Sequence, residues 1–400
     1  MKILMITPYL PYPPSEGGQV RSYNLIKLLS KHHDITLTSF TREHNVAEHV
    51  EHMRKYCKKV IVFKRGKTWT LSNVLRTGFS MYPFLISIYH SSDVREILKN
   101  ELKNEKYDLV HAETFYVMPF LPEISLPTVL VEQTIMSSIF SHHVKTGKRF
   151  WLKPFQWMDV AKIRFWEKHY WQKADRVVAV SEEDARIMKS MINGLKVDVV
   201  PNGVGEDFAN LPKKLHFNKT IIYMANYKWI QNWEAVELLA KKVFPKIQKK
   251  VKDAKLLIAG QFPTAEVRSL ASEQIEVLSL KDDDFKGVVD SYLKSGLMVA
   301  PMYARGGSRL KILAAMASMV PVVTTPVGAE GYGAISGKSI LIGETTDQLA
   351  ERAIEILNNK RLYTTIAKNA RELVDKNFSW IPISKKLESI YTSILREASH

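Results

Sequence analysis

Two glycine pairs stand at the entrance of amphipathic segments, each shortly after an apolar run of strand length. Gly17-Gly18 follows Lys2 to Ile6 and a proline-rich loop; Gly306-Gly307 follows Leu297 to Ala300. Paired glycines let backbone approach a ligand closely, and a helix starting there offers unpaired N–H groups and a positive dipole end to phosphate. The second pair is the richer one, because Ser308, Arg309 and Lys311 occupy the first turns of the segment it introduces. Basic residues in a first turn oppose the helix dipole, a local cost that a bound anion removes. Glycine backbone, helix N-terminus, guanidinium and ammonium together make a cradle for a diphosphate. Neither stretch is a GxGxxG fingerprint or a Walker A loop, so a dinucleotide or an ATPase site is not favoured.

The elements that must position these residues alternate between short apolar runs and longer amphipathic ones, the pattern of a parallel α/β protein. Lys2–Ile6, Ile35–Ser39, Val60–Phe63, Leu109–Ala112, Thr128–Val131 and Val177–Val180 read as one strand series, with a helix from about Val20 to Leu29. Ser181, with Asp184 three residues on, marks a helix N-cap over Glu182–Met191. After Val199-Val200-Pro201-Asn202-Gly203 the stretch Val204–Lys219 loses periodicity and reads as an interdomain linker. A second series follows: Ile221–Met224, Leu256–Ala259, Ile275–Leu278, Leu297–Ala300 and Val322–Thr324, with helices over Trp233–Lys249 and Leu310–Ala317. The expected organisation is an N-terminal Rossmann-like domain over 1–203, a C-terminal one over 217–381, and an amphipathic helix over 382–400 packing back on the first. Two facing α/β sheets would leave a cleft beyond the carboxyl ends of their strands.

Composition sets the class. The chain has 400 residues, 46% of them hydrophobic and 24% charged, which suits two globular domains that each bury a core. Its single cysteine, Cys57, excludes an intrachain disulfide and fits a reducing cytosol. The first strand is interrupted by prolines and glycines too early for a signal sequence, and no apolar run is long enough to span a membrane. The net charge of +16 is spread over both halves and densest from Arg54 to Lys67, where no acid occurs. A solvated surface, an anionic membrane leaflet, a phosphorylated substrate and nucleic acid all remain readings of that charge. From Phe150 to Trp171 aromatic and basic residues interleave, which fits a core-packed helix, a membrane- or acceptor-facing one or, third, a nucleic-acid stacking surface.

The run Gly306-Gly307-Ser308-Arg309-Leu310-Lys311-Ile312-Leu313, then Ala315-Met316-Ala317 and Pro321-Val322-Val323-Thr324-Thr325, resembles the donor-site signature of retaining GT-B glycosyltransferases of family 4. Within it, the resemblance is to the subgroup whose signature begins with glycines where others carry the first glutamate of an E-x7-E motif. Ala174 to Glu182 with Val200 to Val204, Asn226 to Asn232, Leu256 to Gly260, Gly328 to Gly331 and Phe378-Ser379-Trp380 fall in that family's order, so the likeness spans nearly the whole chain. It implies a nucleotide-sugar donor and a carbohydrate or lipid-linked acceptor, with no metal and no separate cofactor. Gly17 and Gly18 would face the donor diphosphate from the N-terminal domain, and Arg309 and Lys311 would hold it from the C-terminal one. The segment Asp108 to Glu113 is similar to the strand end carrying an active-site histidine. His111 or Glu113 would then bind the transferred sugar or assist its departure, and a histidine merely satisfied at a strand end is the alternative. Glu132-Gln133 is an acceptor-side candidate against plain loop polarity.

Two positions depart from the family pattern. Ala314 stands where a glutamate commonly accepts the ribose hydroxyls, and Met319 stands where a glycine ends the helix in left-handed geometry. With Gly306 in the first glutamate position, neither carboxylate is present, and losing such charge-assisted bonds costs about 1.5–3 kcal/mol each. The expected activity is glycosyl transfer in the cytoplasm, with the basic surface able to hold the chain at the inner face of the membrane. The alternative is a catalytically silent nucleotide-sugar-binding or scaffold protein.

Overall fold

The computed structural model describes residues 1–398 apart from 44, 91, 147–149, 282 and 304–309. The chain divides into two compact units, one made of Met1–Pro201 with the C-terminal stretch from Ile383, the other running from Asn202 to Pro382.

In the first unit seven strands form one sheet: β1 (Lys2–Thr7), β2 (Asp34–Thr41), β3 (Lys59–Lys64), β4 (Leu109–Glu113), β5 (Thr128–Glu132), β6 (Arg176–Ala179) and β7 (Val197–Val199). Their order is β3-β2-β1-β4-β5-β6-β7 and every neighbouring pair is parallel. Crossover segments cover both faces of such a sheet, so its strands are buried on both sides. Thus Ile3 and Met5 are as completely buried as Leu4 and Ile6. The direction of winding reverses between β1 and β4, and a crevice opens beyond the carboxyl ends of strands at such a reversal.

The second unit repeats the plan with β8 (Thr220–Asn226), β9 (Lys255–Gln261), β10 (Ile275–Ser279), β11 (Leu297–Ala300), β12 (Val322–Thr324) and β13 (Leu341–Ile342). The order β10-β9-β8-β11-β12-β13, again all parallel, reverses between β8 and β11. The stretch joining β11 to the helix Leu310–Ala317, which holds the second glycine pair, therefore leaves the sheet at its reversal point.

The apolar runs mark the strands they were expected to mark. Ser181 caps its helix, accepting the Asp184 N–H at 3.0 Å. Two strands have no such run. Val197–Val199 carries Asp198 at its centre, and Leu341–Ile342 is two residues long. The first helix begins at Gly17, so the first glycine pair forms its opening turn instead of the loop before it. The aperiodic stretch after Gly203 contains only a turn of helix, Glu206–Ala209, and it is pinned within its own unit. The buried Arg371 guanidinium donates to the Ala209 carbonyl at 2.7 Å and to that of Ala317 at 2.6 Å. Met319 has φ 56°, the left-handed geometry expected for a glycine, and a side chain 3% exposed. Left-handed backbone costs a non-glycine residue about 1–2 kcal/mol, which burial of a methionine offsets.

The last helix, Trp380–Ala398, buries Leu387, Ile390, Tyr391 and Ile394. From Ile383 onward it belongs to the first unit, where Glu397 pairs with Arg176 at 2.5 Å.

Candidate functional site

In the first unit the polar residues collect where the winding reverses. β1 ends at Thr7 and β4 at Glu113, and the loops and helix start beyond them supply the rest. His111 and Glu113, two residues apart on one strand, point to the same face. His111 Nε2 lies 3.2 Å from Glu113 Oε1, and Nδ1 lies 2.5 Å from the hydroxyl of Tyr391 on the last helix. A neutral imidazole satisfies both bonds, with Nε2–H donating to the carboxylate and Nδ1 accepting from the phenol. Glu113 Oε2 accepts from Gln133 Nε2 at 2.6 Å, and the same amide donates to the Tyr9 hydroxyl at 2.5 Å. Tyr9 continues to Ser22 Oγ at 3.2 Å.

The electrostatics explain why the chain tolerates this carboxylate. Burial pushes the Glu113 carboxyl up, but the His111 bond, the charge of Arg21 and the Gln133 bond outweigh it and hold the group below the usual range. Arg21 is itself completely buried, donating from Nη1 to the carbonyls of Val200 and Pro201 at 2.9 Å each. Burial and the neighbouring Glu113 charge push the Tyr9 phenol up, so it stays protonated. Immediately after Glu113 the backbone is strained. Thr114 has φ 72° and ψ 147°, a region that glycine alone visits freely, and such outliers cluster at functional sites.

His111 and Glu113 are both 0% exposed, whereas Gln133 and Tyr9 are partly exposed. The structure thus joins the strand-end pair to Gln133, and it is the amide and the phenol that reach the surface. Gly18 is required here for a different reason from phosphate approach alone. A Cβ at this position would lie 2.5 Å from Gln133 Oε1 and 2.5 Å from the Tyr9 hydroxyl. Tyr9, Arg21 and Tyr391 carry no sequence signal of their own, because only the fold brings them beside β4.

Glu132, the neighbour of Gln133, turns into the core instead. Its Oε1 accepts the Phe115 N–H and the Trp171 indole N–H, both at 3.0 Å. Glu167, on the helix Lys153–Lys173, accepts the Ser137 N–H at 3.1 Å. Burial, then the Glu167 charge, pushes the Glu132 carboxyl well up, and burial pushes that of Glu167 up to about 7.

In the second unit Gly306, Gly307, Ser308 and Arg309 lie outside the described residues. Lys311 is described, one residue into the helix Leu310–Ala317. Its Nζ donates to Asn232 Oδ1 at 2.6 Å and to the Tyr223 hydroxyl at 3.3 Å, and sits 4.7 Å from the centre of the Tyr223 ring. Asn232 is oriented by its own bond to the Asn226 carbonyl at the end of β8, 2.8 Å. No carboxylate is among these partners. Burial therefore acts unopposed and lowers the ammonium to about 7. The lysine is thus held by neutral oxygens and a ring face, one residue into the helix that follows β11. Ala314, one turn on, is 7% exposed and offers no polar atom. Among the described residues no group of three or more His, Cys, Asp or Glu is placed to hold a metal ion.

Comparison with known proteins follows the same division. Residues 15–208 match the family described as Glycosyltransferase Family 4, and residues 218–359 match Glycosyl transferases group 1. An uncharacterized 44.6 kDa protein in the cps region of Klebsiella pneumoniae is 23% identical, covering 99% of each chain. An uncharacterized glycosyltransferase of Methanocaldococcus jannaschii is also 23% identical, over 98% of this chain and 99% of its own. Among solved structures, sucrose-phosphate synthase of Thermosynechococcus elongatus superposes with a TM-score of 0.70 at 16% identity, covering 99% of this chain and 100% of the other. HepE of Anabaena in complex with UDP-glucose gives 0.66 at 13% identity, over 98% and 100%. These structural likenesses are of fold, and the fold is GT-B: two Rossmann-like parallel sheets.

Proposed function

We propose that this chain, a GT-B glycosyltransferase composed of a family 4 domain followed by a group 1 domain, moves a sugar from a nucleotide-sugar donor to a carbohydrate or lipid-linked acceptor with retention of anomeric configuration. The observation that carries the reading is Lys311: an ammonium brought to about 7 by burial, with neutral partners only, in the first turn of the helix that follows β11. A diphosphate placed there gains a charged partner whose own desolvation the fold has already met. Arg309 adds a guanidinium, and Gly306, Gly307 and Ser308 add backbone N–H groups. As the bond between the anomeric carbon and the diphosphate breaks, these groups take up the charge of the leaving nucleotide without a metal. The acceptor oxygen then bonds to the same face of the sugar, and its proton passes to the departing diphosphate oxygen on that face.

In the family 4 domain, Gln133 and Tyr9 are the partly exposed groups of the strand-end network. His111 and Glu113 fix the Gln133 amide, and so act as positioning residues behind it. The UDP-glucose of the Anabaena protein supports a uridine donor.

The test is a thermal-shift screen against UDP-, GDP- and ADP-sugars, since a ligand that binds only folded chain raises its stability. Transfer and hydrolysis of the best donor are then followed in chelator, and the product anomer is assigned by NMR. A donor that stabilises the chain and is turned over in chelator supports the proposal. No stabilisation and no turnover across the panel overturns it.

A further inference from the structure

One surface of the first unit plays no part in the chemistry above. The helix Leu71–Phe79 has no buried residue at all, although it is amphipathic. Its apolar positions Leu71, Val74, Leu75 and Phe79 recur at helical spacing and face solvent, Leu71 75% exposed and Phe79 89%. Trp69, just before it, is 79% exposed, and its ring lies tilted by 31° against that of Phe84, centroids 4.7 Å apart. A helix that turns its apolar stripe outward has left that stripe for something else to cover.

The helix Lys153–Lys173 extends the same surface. Its Lys162 Nζ donates to the carbonyls of Thr77 and Ser80 at 2.6 and 2.7 Å, and Trp166 Nε1 donates to that of Met81 at 2.9 Å. Asp159 accepts the Phe84 N–H at 2.8 Å. These bonds lock the two elements side by side. Trp151, in the turn just before the longer helix, and Phe155 and Met158, three residues apart on it, are exposed.

Charge decides what covers this surface. No Asp or Glu occurs between Glu51 and Asp93, nor between Glu132 and Asp159, while Lys64, Lys67, Arg76 and Lys153 lie in those stretches. A second copy of the chain would bring like charge against like charge. A bilayer with anionic headgroups supplies the opposite charge and an apolar layer beneath it, the combination that exposed Trp, Phe and Leu rimmed by Lys and Arg fit. We propose that the face formed by Trp69–Met81 and the start of the helix Lys153–Lys173 docks on an anionic lipid surface, lying in its interface. Among the described residues no helix is long and apolar enough to cross a membrane, so this contact is made from one side. The proposal does not depend on the transfer reaction.

The experiment is co-sedimentation of the full chain with phosphatidylcholine vesicles, with and without phosphatidylglycerol, alongside sedimentation velocity without lipid. The natural chain is expected to partition at least tenfold more strongly onto vesicles containing phosphatidylglycerol, and added salt weakens it. Leu71→Ser with Phe79→Ser lowers that partition at least tenfold, and Lys67→Glu with Arg76→Glu removes the preference for anionic lipid. Ile335→Ser, an exposed residue of the other unit, leaves it unchanged. All the altered positions are solvent-facing or partly so, and unchanged melting temperatures show that folding is intact. Equal binding to both vesicles, no binding, or binding that survives Leu71→Ser with Phe79→Ser overturns the proposal. So does a lipid-independent dimer that the same pair of substitutions dissolves.

Discussion

Lys311 allows the donor-site reasoning to be tested by protons. In the unliganded chain its ammonium is lowered to about 7 by burial, against an ordinary 10.5. If a donor diphosphate sits against it, the bound ammonium returns toward its ordinary range, so binding takes up a proton wherever the free lysine has lost one. At pH 6 the free side chain is already about nine-tenths charged and uptake is about 0.1 proton; at pH 8 it is about 0.9. Affinity is therefore flat below pH 6 and falls close to tenfold per pH unit above pH 8. No group of a sugar-linked diphosphate titrates in that range. Calorimetric titration in buffers of different ionisation heat counts the protons directly. Lys311→Met abolishes both the uptake and the slope, and loss of a charge-assisted bond of about 1.5–3 kcal/mol weakens binding at pH 6 by about ten- to hundredfold. The variant has a second signature. The folded chain sheds this proton near 7 while the unfolded chain keeps it to 10.5, so natural stability rises with pH across that window, and Lys311→Met loses the rise. The gain is at most about 5 kcal/mol, and smaller because the side chain is only partly buried. Donor binding with no proton uptake at pH 8, or Lys311→Met binding as tightly as the natural chain, refutes the assignment.

Other sites make independent tests. Gly18→Ala drives a methyl into Gln133 and Tyr9 and breaks the Gln133 bond to Glu113, lowering stability by about 2 kcal/mol; chemical denaturation measures it, and Gln133→Ala in the same chain shrinks the added cost if the clash is the cause. Glu167, at about 7 in the folded chain against 4.5 unfolded, contributes stability that is complete below pH 4.5 and lost as pH rises through 7. Its loss amounts to about 3 kcal/mol, and Glu167→Gln flattens that part of the stability-versus-pH curve; an unchanged curve places the titration elsewhere. Ala314→Glu buries a carboxylate and lowers unliganded stability by about 1–3 kcal/mol, yet raises nucleotide affinity roughly tenfold or more where two ribose hydroxyls meet it. Unchanged affinity by calorimetry places the ribose away from that helix face.

The strand series and the α/β class were legible because a parallel sheet covered on both faces leaves an apolar run wherever a strand passes. Ile221–Met224 and Leu297–Ala300 are such runs. Ser181 and the helix Leu310–Ala317 were legible because caps and helical periodicity are local. β7 and β13 were not, since an edge strand with Asp198 at its centre and a strand of two residues have no run to show. Lys311 was legible as a basic residue beside glycines; its partners Asn232 and Tyr223, 79 and 88 residues away, were not.

The sequence by itself determined the order of elements and the two-sheet class, both of which are written in neighbouring positions. Tertiary structure alone decided that His111 is closed off by Tyr391, 280 residues distant, and that Gln133 and Tyr9 are what the strand end presents. It also decided that one aromatic run is split between core and solvent, with Trp171 at 0% exposure and Phe155 at 69%. The reason is that burial and desolvation depend on which distant segments pack together. Residue type and spacing fix what a side chain can do, and only the packed neighbours fix its charge and its access to water.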